Sequence, residues 1–344
     1  MAETSGTPLV VSINIPFCPR RCSFCAKDVV TPPEPEPARP AVGRRAPVRE
    51  LTRAQRLGDL TLRDDYLTAL EREFESMTPD LGEYEVEAIR VTGGIPTSCS
   101  AKGLAALLRQ MRESLRFGEG VQISMQTVPG GLGADALGTY KAAGITHYEF
   151  LAGSFSFFEW ECLGRPVAFD TPAASVELLR CYHVDEIGFE LFSGLPGQTE
   201  RTFAESCKKA VELGARRLRL TKLPLAEGTP LYRQFVVGEQ ALDLSRSDLR
   251  LPSDDAARSM LEHAAELLGR EGWTQYAPGC LALAGCEDAY EVLRGQGCDY
   301  ITLGLGGESV VDGLKTVNTT DLRRYVRYAH DPAGVVATVQ DLTL

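Results

Sequence analysis

Apolar residues arrive in short runs that alternate with helical stripes through the first two thirds of the chain. Residues 9–15, LVVSINI, are almost continuously apolar, which predicts a buried strand. Within 60–77, Tyr66, Leu67, Leu70 and Phe74 share one side of a helix, the stripe expected where a helix packs on a sheet. Strands are then predicted at 86–91, 121–125, 147–151, 186–192 and 216–222, with helices at 104–115, 134–143, 172–181 and 200–213 between them. Strands and helices alternating at these distances argue βα units with right-handed crossovers around a parallel sheet. An open (β/α)6 partial barrel and a doubly wound sheet both accommodate that order. Polar and glycine residues follow the apolar run of each strand, at the C-terminal edge where such sheets build their sites.

Beyond residue 229 the rhythm changes: a helix at 252–270, a short strand at 273–276, a helical turn at 290–293, a strand at 300–305, a helix at 320–329 and a weakly alternating edge strand at 335–342. The expected division is a core barrel over 1–229 and a smaller C-terminal α+β extension over 230–344 that covers its open side. Residues 31–49, TPPEPEPARPAVGRRAPVR, carry closely spaced prolines that deny both helix and central strand. They form an insertion, read either as a plain linker or as a lid over a site.

Composition changes the picture little. Of 344 residues, 44% are hydrophobic and 24% charged, ordinary for a globular chain. The net charge of -11 argues against nucleic acid or an anionic membrane as partner. Ten cysteines are too dilute for a disulfide scaffold. No apolar run reaches membrane length and the first residues carry no basic-then-apolar leader, so a cytoplasmic monomer is expected. The four histidines are scattered and suggest no metal site.

The chemistry concentrates in IPFCPRRCSFC, where Cys18, Cys22 and Cys25 make C-x3-C-x2-C. Three thiolates are one short of the usual ligand set of a [4Fe-4S] cluster and would leave one iron open. Zinc or a disulfide are the alternatives for three clustered cysteines. Further blocks follow in order: TGGIPT, QTVPGGL, SFSFFEWECLGR, ELFSGLPGQT and PLAEGTPLY. Together with the cysteine motif they resemble the radical S-adenosylmethionine (SAM) family of oxygen-independent coproporphyrinogen III oxidase. Its relatives include haem-chaperone-like proteins, methyltransferases and cyclopropanases. The resemblance spans about 9–235, with a fainter echo at 304–307.

The resemblance implies a radical SAM partial (β/α)6 TIM barrel, a [4Fe-4S] cluster on the three cysteines, and one or two SAM molecules. It places Phe24 against the adenine, Gly93 and Gly94 on the SAM amino group, Arg165 on its carboxylate, and Gln126 and Glu190 on the ribose. Ser12, Asn14, Lys222, Gly304 and Gly306 become candidates for a second ligand or the substrate. The 194–197 turn is read as rim architecture. Cys280, Cys286 and Cys298 are candidates for an auxiliary cluster or a functional thiol, with plain packing as the alternative. Several positions depart from the family's pattern: Gln126 replaces an acid, Gly153 a glutamine, Glu190 an aspartate, and Ser12 and Asn14 a tyrosine and a histidine.

These departures keep the cluster machinery and rewrite the contacts around it. The expectation is therefore an enzyme that receives an electron from a flavodoxin or ferredoxin-type donor and cleaves SAM to a 5'-deoxyadenosyl radical. That radical would modify an unreactive carbon of a small-molecule, antibiotic-type intermediate. Methyl or methylene transfer from a second SAM leads. Single-SAM rearrangement, sulfur insertion or oxidation is one alternative, and a haem-binding chaperone-like protein another.

Overall fold

The computed structural model describes residues 6–32, 53–165, 170–246 and 248–342, with side chains of 53–58 excepted. The insertion expected at 31–49 lies almost wholly outside the described residues. In chain order the elements of the first two thirds are β1 (Thr7–Ile15), α1 (Arg53–Met77), β2 (Tyr84–Gly93), α2 (Ala101–Ser114), β3 (Arg116–Thr127), α3 (Ala134–Ala142), β4 (His147–Gly153), α4 (Phe157–Cys162), α5 (Thr171–Cys181), β5 (Glu186–Ser193), α6 (Glu200–Glu212) and β6 (Arg217–Lys222). The remainder contains α7 (Pro230–Tyr232), α8 (Asp254–Arg270), β7 (Thr274–Ala277), β8 (Cys280–Ala282), α9 (Ala289–Gly295), β9 (Asp299–Leu303), β10 (Glu308–Val311), β11 (Leu314–Asn318), α10 (Leu322–Tyr328), α11 (Pro332–Val335) and β12 (Val336–Asp341).

All twelve strands join one sheet in the order β12-β11-β10-β9-β1-β2-β3-β4-β5-β6-β8-β7. Strands β1 to β6 are parallel and sit side by side in sequence order. With right-handed crossovers, a sheet that grows in one direction keeps its helices on one face. The doubly wound alternative needs a reversal of strand order, which is absent, so the architecture is the partial-barrel one. β9 pairs parallel to β1, making the parallel set one strand larger than the expected six. No ladder joins β7 to β12 among the described residues, and the sheet stays open.

Strand alternation sorts the side chains. Leu9, Val11, Ile13 and Ile15 of β1, Ile89 and Val91 of β2, and Tyr148 and Phe150 of β4 join one core with Tyr66, Leu70 and Phe74 of α1. The other face carries Ser12, Arg90, Gln126, Glu149, Glu190 and Arg219 at the intervening positions, as a period of two requires. That polar face is covered by α9, which packs on β1, β2 and β7. Periodicity did not announce α4, β8 or the β10–β11 hairpin, which are too short or too glycine-flanked to leave a pattern. The helix expected at 252–270 starts later, at Asp254, because the Ser253 side chain caps it by accepting the Ala256 N–H at 3.1 Å.

Candidate functional site

The cysteine loop leaves the C-terminal end of β1 and is tied down along its length. The Cys18 N–H donates to the Val30 carbonyl (2.9 Å) and the Val30 N–H to Pro16 (2.8 Å), closing the loop at its base. Arg21 folds its interior by donating to the carbonyls of Lys27 and Val29, each at 3.2 Å. Ser23 donates through its N–H to Leu163 (3.2 Å) and through its hydroxyl to Cys162, and its carbonyl accepts from Leu231 (2.9 Å). The loop is thereby docked on the end of α4 and on α7.

Cys18 and Cys22 are buried, Cys25 half-buried, and none is in a disulfide. Burial first, then the closeness of Cys22 and Cys25, pushes the Cys18 thiol up to about 11. The disulfide alternative is therefore not realised. Among the described residues, however, no three His, Cys, Asp or Glu side chains are gathered in a metal-holding arrangement. Cys22 Sγ instead accepts from Arg165 Nε at 2.9 Å, while Arg165 Nη1 donates to the Leu151 carbonyl (2.6 Å) and the guanidinium lies 5.9 Å from the centre of the Phe24 ring. The structure thus puts Arg165 and Phe24, both expected at SAM, directly beside the loop sulfurs.

Gly93 and Gly94 end β2 alongside the loop. A Cβ on Gly93, at φ +113°, would lie 2.0 Å from Asn14 Oδ1; one on Gly94 would lie 2.6 Å from the Phe17 carbonyl and 2.9 Å from Cys18 Sγ. No side chain fits either position. The Gly93 carbonyl accepts from the Lys27 ammonium at 3.4 Å, so it faces a position that a cationic nitrogen can occupy. A cavity of about 260 Å³ opens beside the loop, lined by Cys22, Ile95, Val128, Pro129, Trp160 and Arg165.

Across the strand ends, Gln126 and Glu190 meet. Gln126 Nε2 donates to Glu190 Oε2 (2.8 Å) and to Glu149 Oε1 (3.1 Å), and its Oε1 accepts from the Thr92 hydroxyl (3.0 Å). Glu149 is held by Arg90 (3.0 Å) and Arg219 (3.4 Å), which also pair with Glu291 of α9. Burial alone would raise Glu149, but Arg219, Arg90 and Arg217 hold it down to about 2. Glu190 moves the other way: burial and the Glu149 charge raise it above the usual carboxylate range, against Arg219, Arg90 and Lys27.

Sequence reasoning passed over Arg90, Glu149 and Arg219. Their signal was charge at inward-facing positions of otherwise apolar strands, in AIRVTGG, HYEFL and RLRLTK.

On the β1 side, Asn14 Nδ2 donates to the Leu305 carbonyl, and Ser12 is buried near the Tyr290 phenol. A Cβ on Gly304 would lie 2.5 Å from the Tyr66 hydroxyl and 2.6 Å from the Asn14 carbonyl, and the Gly306 N–H donates to Thr319 at 2.9 Å. Asn14 and Gly304 are thus neighbours, as a shared role requires. Lys222 points elsewhere, pairing with Asp254 at 2.7 Å on the rim. Cys280 lies at Arg219 (3.4 Å), Cys286 near the Ala284 carbonyl (3.9 Å) and Cys298 on the Pro8 carbonyl (3.0 Å), three separate surroundings that build no common centre.

No protein-family profile matches the chain. Individual proteins do. The haem chaperone HemW of Haemophilus influenzae is 23% identical over 331 residues, covering 95% of this chain and 75% of the relative. HemW of Bacillus subtilis is 26% identical over 264 residues, covering 76% and 67%. The oxygen-independent coproporphyrinogen III oxidase of Escherichia coli is 26% identical over 223 residues, covering 63% and 42%. The structure of E. coli coproporphyrinogen III oxidase, described as a radical SAM enzyme, superposes with a TM-score of 0.74 at 20% identity, covering 99% of this chain and 73% of that one.

The chain therefore has the fold of that enzyme, a parallel partial-barrel sheet with a cysteine loop at the C-terminal ends of its strands. In sequence it is similar to the HemW and oxygen-independent coproporphyrinogen III oxidase proteins.

Three uncrosslinked thiols on one anchored loop, with backbone cleared beside them at Gly94, are the chemistry of a cluster's donor set, although their sulfurs are not drawn together into a metal-holding arrangement here.

Proposed function

We propose that this protein carries a [4Fe-4S] cluster on Cys18, Cys22 and Cys25 and binds SAM along the adjoining strand ends, where it acts on a small organic molecule. The carrying observation is the packing of Cys18 Sγ against Gly94, which sets the cysteine loop beside the Gly93 carbonyl, one residue from the Thr92 hydroxyl that donates to Gln126 of the Gln126–Glu190 pair. Bound cluster and SAM would supply reductive cleavage of a sulfonium to a carbon radical. The chain's own residues bind and orient: Gly93 and Gly94 receive the amino group, Glu190 the ribose, Arg165 the carboxylate, and Phe24 flanks the adenine. Arg165 now donates to Cys22 and Leu151, so it would exchange at least one of those bonds for SAM.

Among specific readings, the haem-binding, chaperone-like one has the stronger support, because relatives named haem chaperones align over nearly the whole chain. A haem-type tetrapyrrole is therefore the first organic ligand to test. Transfer from a second SAM, the leading expectation from sequence, rests on Ser12 and Asn14. Asn14 is engaged internally, to Leu305, and Ser12 is buried near Tyr290, which gives it less support.

Anaerobically reconstituted protein is expected to hold about four irons per chain, with a spectrum that changes on adding SAM. Cys22→Ala should abolish both; a SAM-responsive cluster in that variant overturns the assignment. A haem titration decides between the specific readings. Tight, stoichiometric haem binding without substrate-dependent 5'-deoxyadenosine supports the chaperone-like one. Deoxyadenosine together with S-adenosylhomocysteine, and label from methyl-deuterated SAM in a product, supports the transferase.

A further inference from the structure

We infer that Glu149 is a positioning residue of the SAM site, acting through the Gln126 amide to orient Glu190; this rests on the reading of Glu190 as a SAM contact. Gln126 has no spare hydrogen-bonding capacity on its donor side. Its amide nitrogen has two hydrogens, and they go to Glu149 Oε1 and Glu190 Oε2, while Thr92 fixes which end is oxygen. The amide is therefore a bridge between two carboxylates, and its direction depends on Glu149 remaining an acceptor. Without that acceptor one amide hydrogen is left buried with no partner, and only Thr92 and Glu190 hold the amide. The amide can then swing to find another acceptor, and Glu190 loses the fixed donor that sets its position.

Glu149 is kept as an acceptor by the groups around it. Arg90 of β2, and Arg217 and Arg219 of β6, face it; Arg90 and Arg219 are in turn shared with Glu291 of α9, and Arg90 with Asp288. Opposite stands Glu190, which also feels Lys27 of the cysteine loop. The position that bears an acid in the resembled family is glutamine here. With Glu149 and Glu190 both in reach of it, a third carboxylate would leave the two existing ones without a donor between them. Gln126 and Glu149 therefore belong together.

The negative charge on Glu149 also favours the protonated form of Glu190. Removing that charge leaves Arg90 and Arg219 less compensated, and both changes favour the Glu190 carboxylate. If Glu190 accepts hydrogen bonds from ribose as an anion, SAM binding weakens as pH falls through its titration. Loss of the Glu149 charge should then carry that acid limb to lower pH.

The test measures SAM binding by equilibrium dialysis against pH in reconstituted protein, with iron content as the check on folding. Glu149→Gln keeps an acceptor for Gln126 and removes the charge, so the acid limb is expected to move to lower pH with iron unchanged. Glu149→Leu removes the acceptor as well, and SAM binding at neutral pH should weaken about tenfold, equivalent to a lost hydrogen bond to a charged group. An unmoved acid limb in Glu149→Gln overturns the inference even if the leucine variant loses its fold. So does parental affinity in a folded Glu149→Leu protein, since a counter-ion for the arginines alone would leave SAM binding untouched. Glu190→Ala separates the two layers. Unchanged affinity there removes the ribose reading and the inference with it, whereas weakened affinity beside silent Glu149 variants removes the inference alone.

Discussion

At Glu73 one carboxyl group of α1 meets donors from three other places in the chain: the Gly304 N–H at 2.8 Å, Asn318 Nδ2 of β11 and the Tyr325 hydroxyl of α10. Burial pushes Glu73 up to about 7, although each of those donors favours the anion. An ordinary glutamate in the unfolded chain titrates near 4.5. Between about pH 4.5 and 7 the folded state therefore holds a proton that the unfolded state has released, and stability falls as pH rises through that window and levels off above it. The full span corresponds to roughly 3 kcal/mol. Glu73→Gln should remove this slope, so denaturant unfolding at about pH 5 and about pH 8 would show the variant losing less stability than the parent across the interval. Equal slopes in the two proteins would show that Glu73 titrates normally. Because Gly304 sits against Asn14 through Tyr66, this buried carboxyl also sets the wall of the candidate site on the β1 side.

At the scale of elements, the short helix α4 decides where Arg165 stands, and the 194–198 turn decides where α4 stands. Gln198 is buried; its Oε1 accepts from the Leu195 N–H (3.2 Å), and its Nε2 donates to Glu159 of α4 (3.0 Å) and to the Phe192 carbonyl (3.1 Å). Glu159 also accepts from the Ser154 hydroxyl at the end of β4. The ELFSGLPGQT block thus ties β5 to α4, in keeping with an architectural reading of its turn. Gln198→Ala would take one of its donors from a buried carboxylate and leave a carbonyl and an N–H without the amide they pair with, and should destabilise the protein by about 2 kcal/mol. Hydrogen exchange should also quicken over 154–165. A loss too small to resolve, with exchange unaltered, would show that water or a neighbour replaces the amide without cost. The sequence made the block visible as a motif and left its mechanism out of sight. Glu159 and Gln198 lie far apart in the chain, and only the fold makes them partners.

Over the whole molecule, what periodicity could reach was the frame. Apart from α4, the helices and strands between 60 and 222 were legible because each buries one face, and burial leaves a period of 3.6 or 2 in the chain. Choosing between a partial barrel and a doubly wound sheet depended on strand order, which no local pattern carries. The charges of the buried Arg90–Glu149–Arg219 network stand out on apolar strands, yet their pairing escapes the sequence for a related reason: charges on strands read as solvent-facing until α9 is known to cover them.

The C-terminal third likewise reads as a cover appended to a core. In the structure it supplies β9 as the direct neighbour of β1, β8 as the neighbour of β6, α9 over the polar face, and the Asn318 and Tyr325 partners of Glu73. Ending the chain at residue 229 would expose one edge of β1, the strand that delivers the cysteine loop. It would also leave Arg90 and Arg219 facing water without Glu291. The 1–229 fragment is therefore expected to lack a cooperative unfolding transition and to be cut rapidly by protease, with the parent resistant under the same conditions. A fragment that unfolds cooperatively and resists digestion would establish 1–229 as a domain in its own right, with the C-terminal third docked onto it.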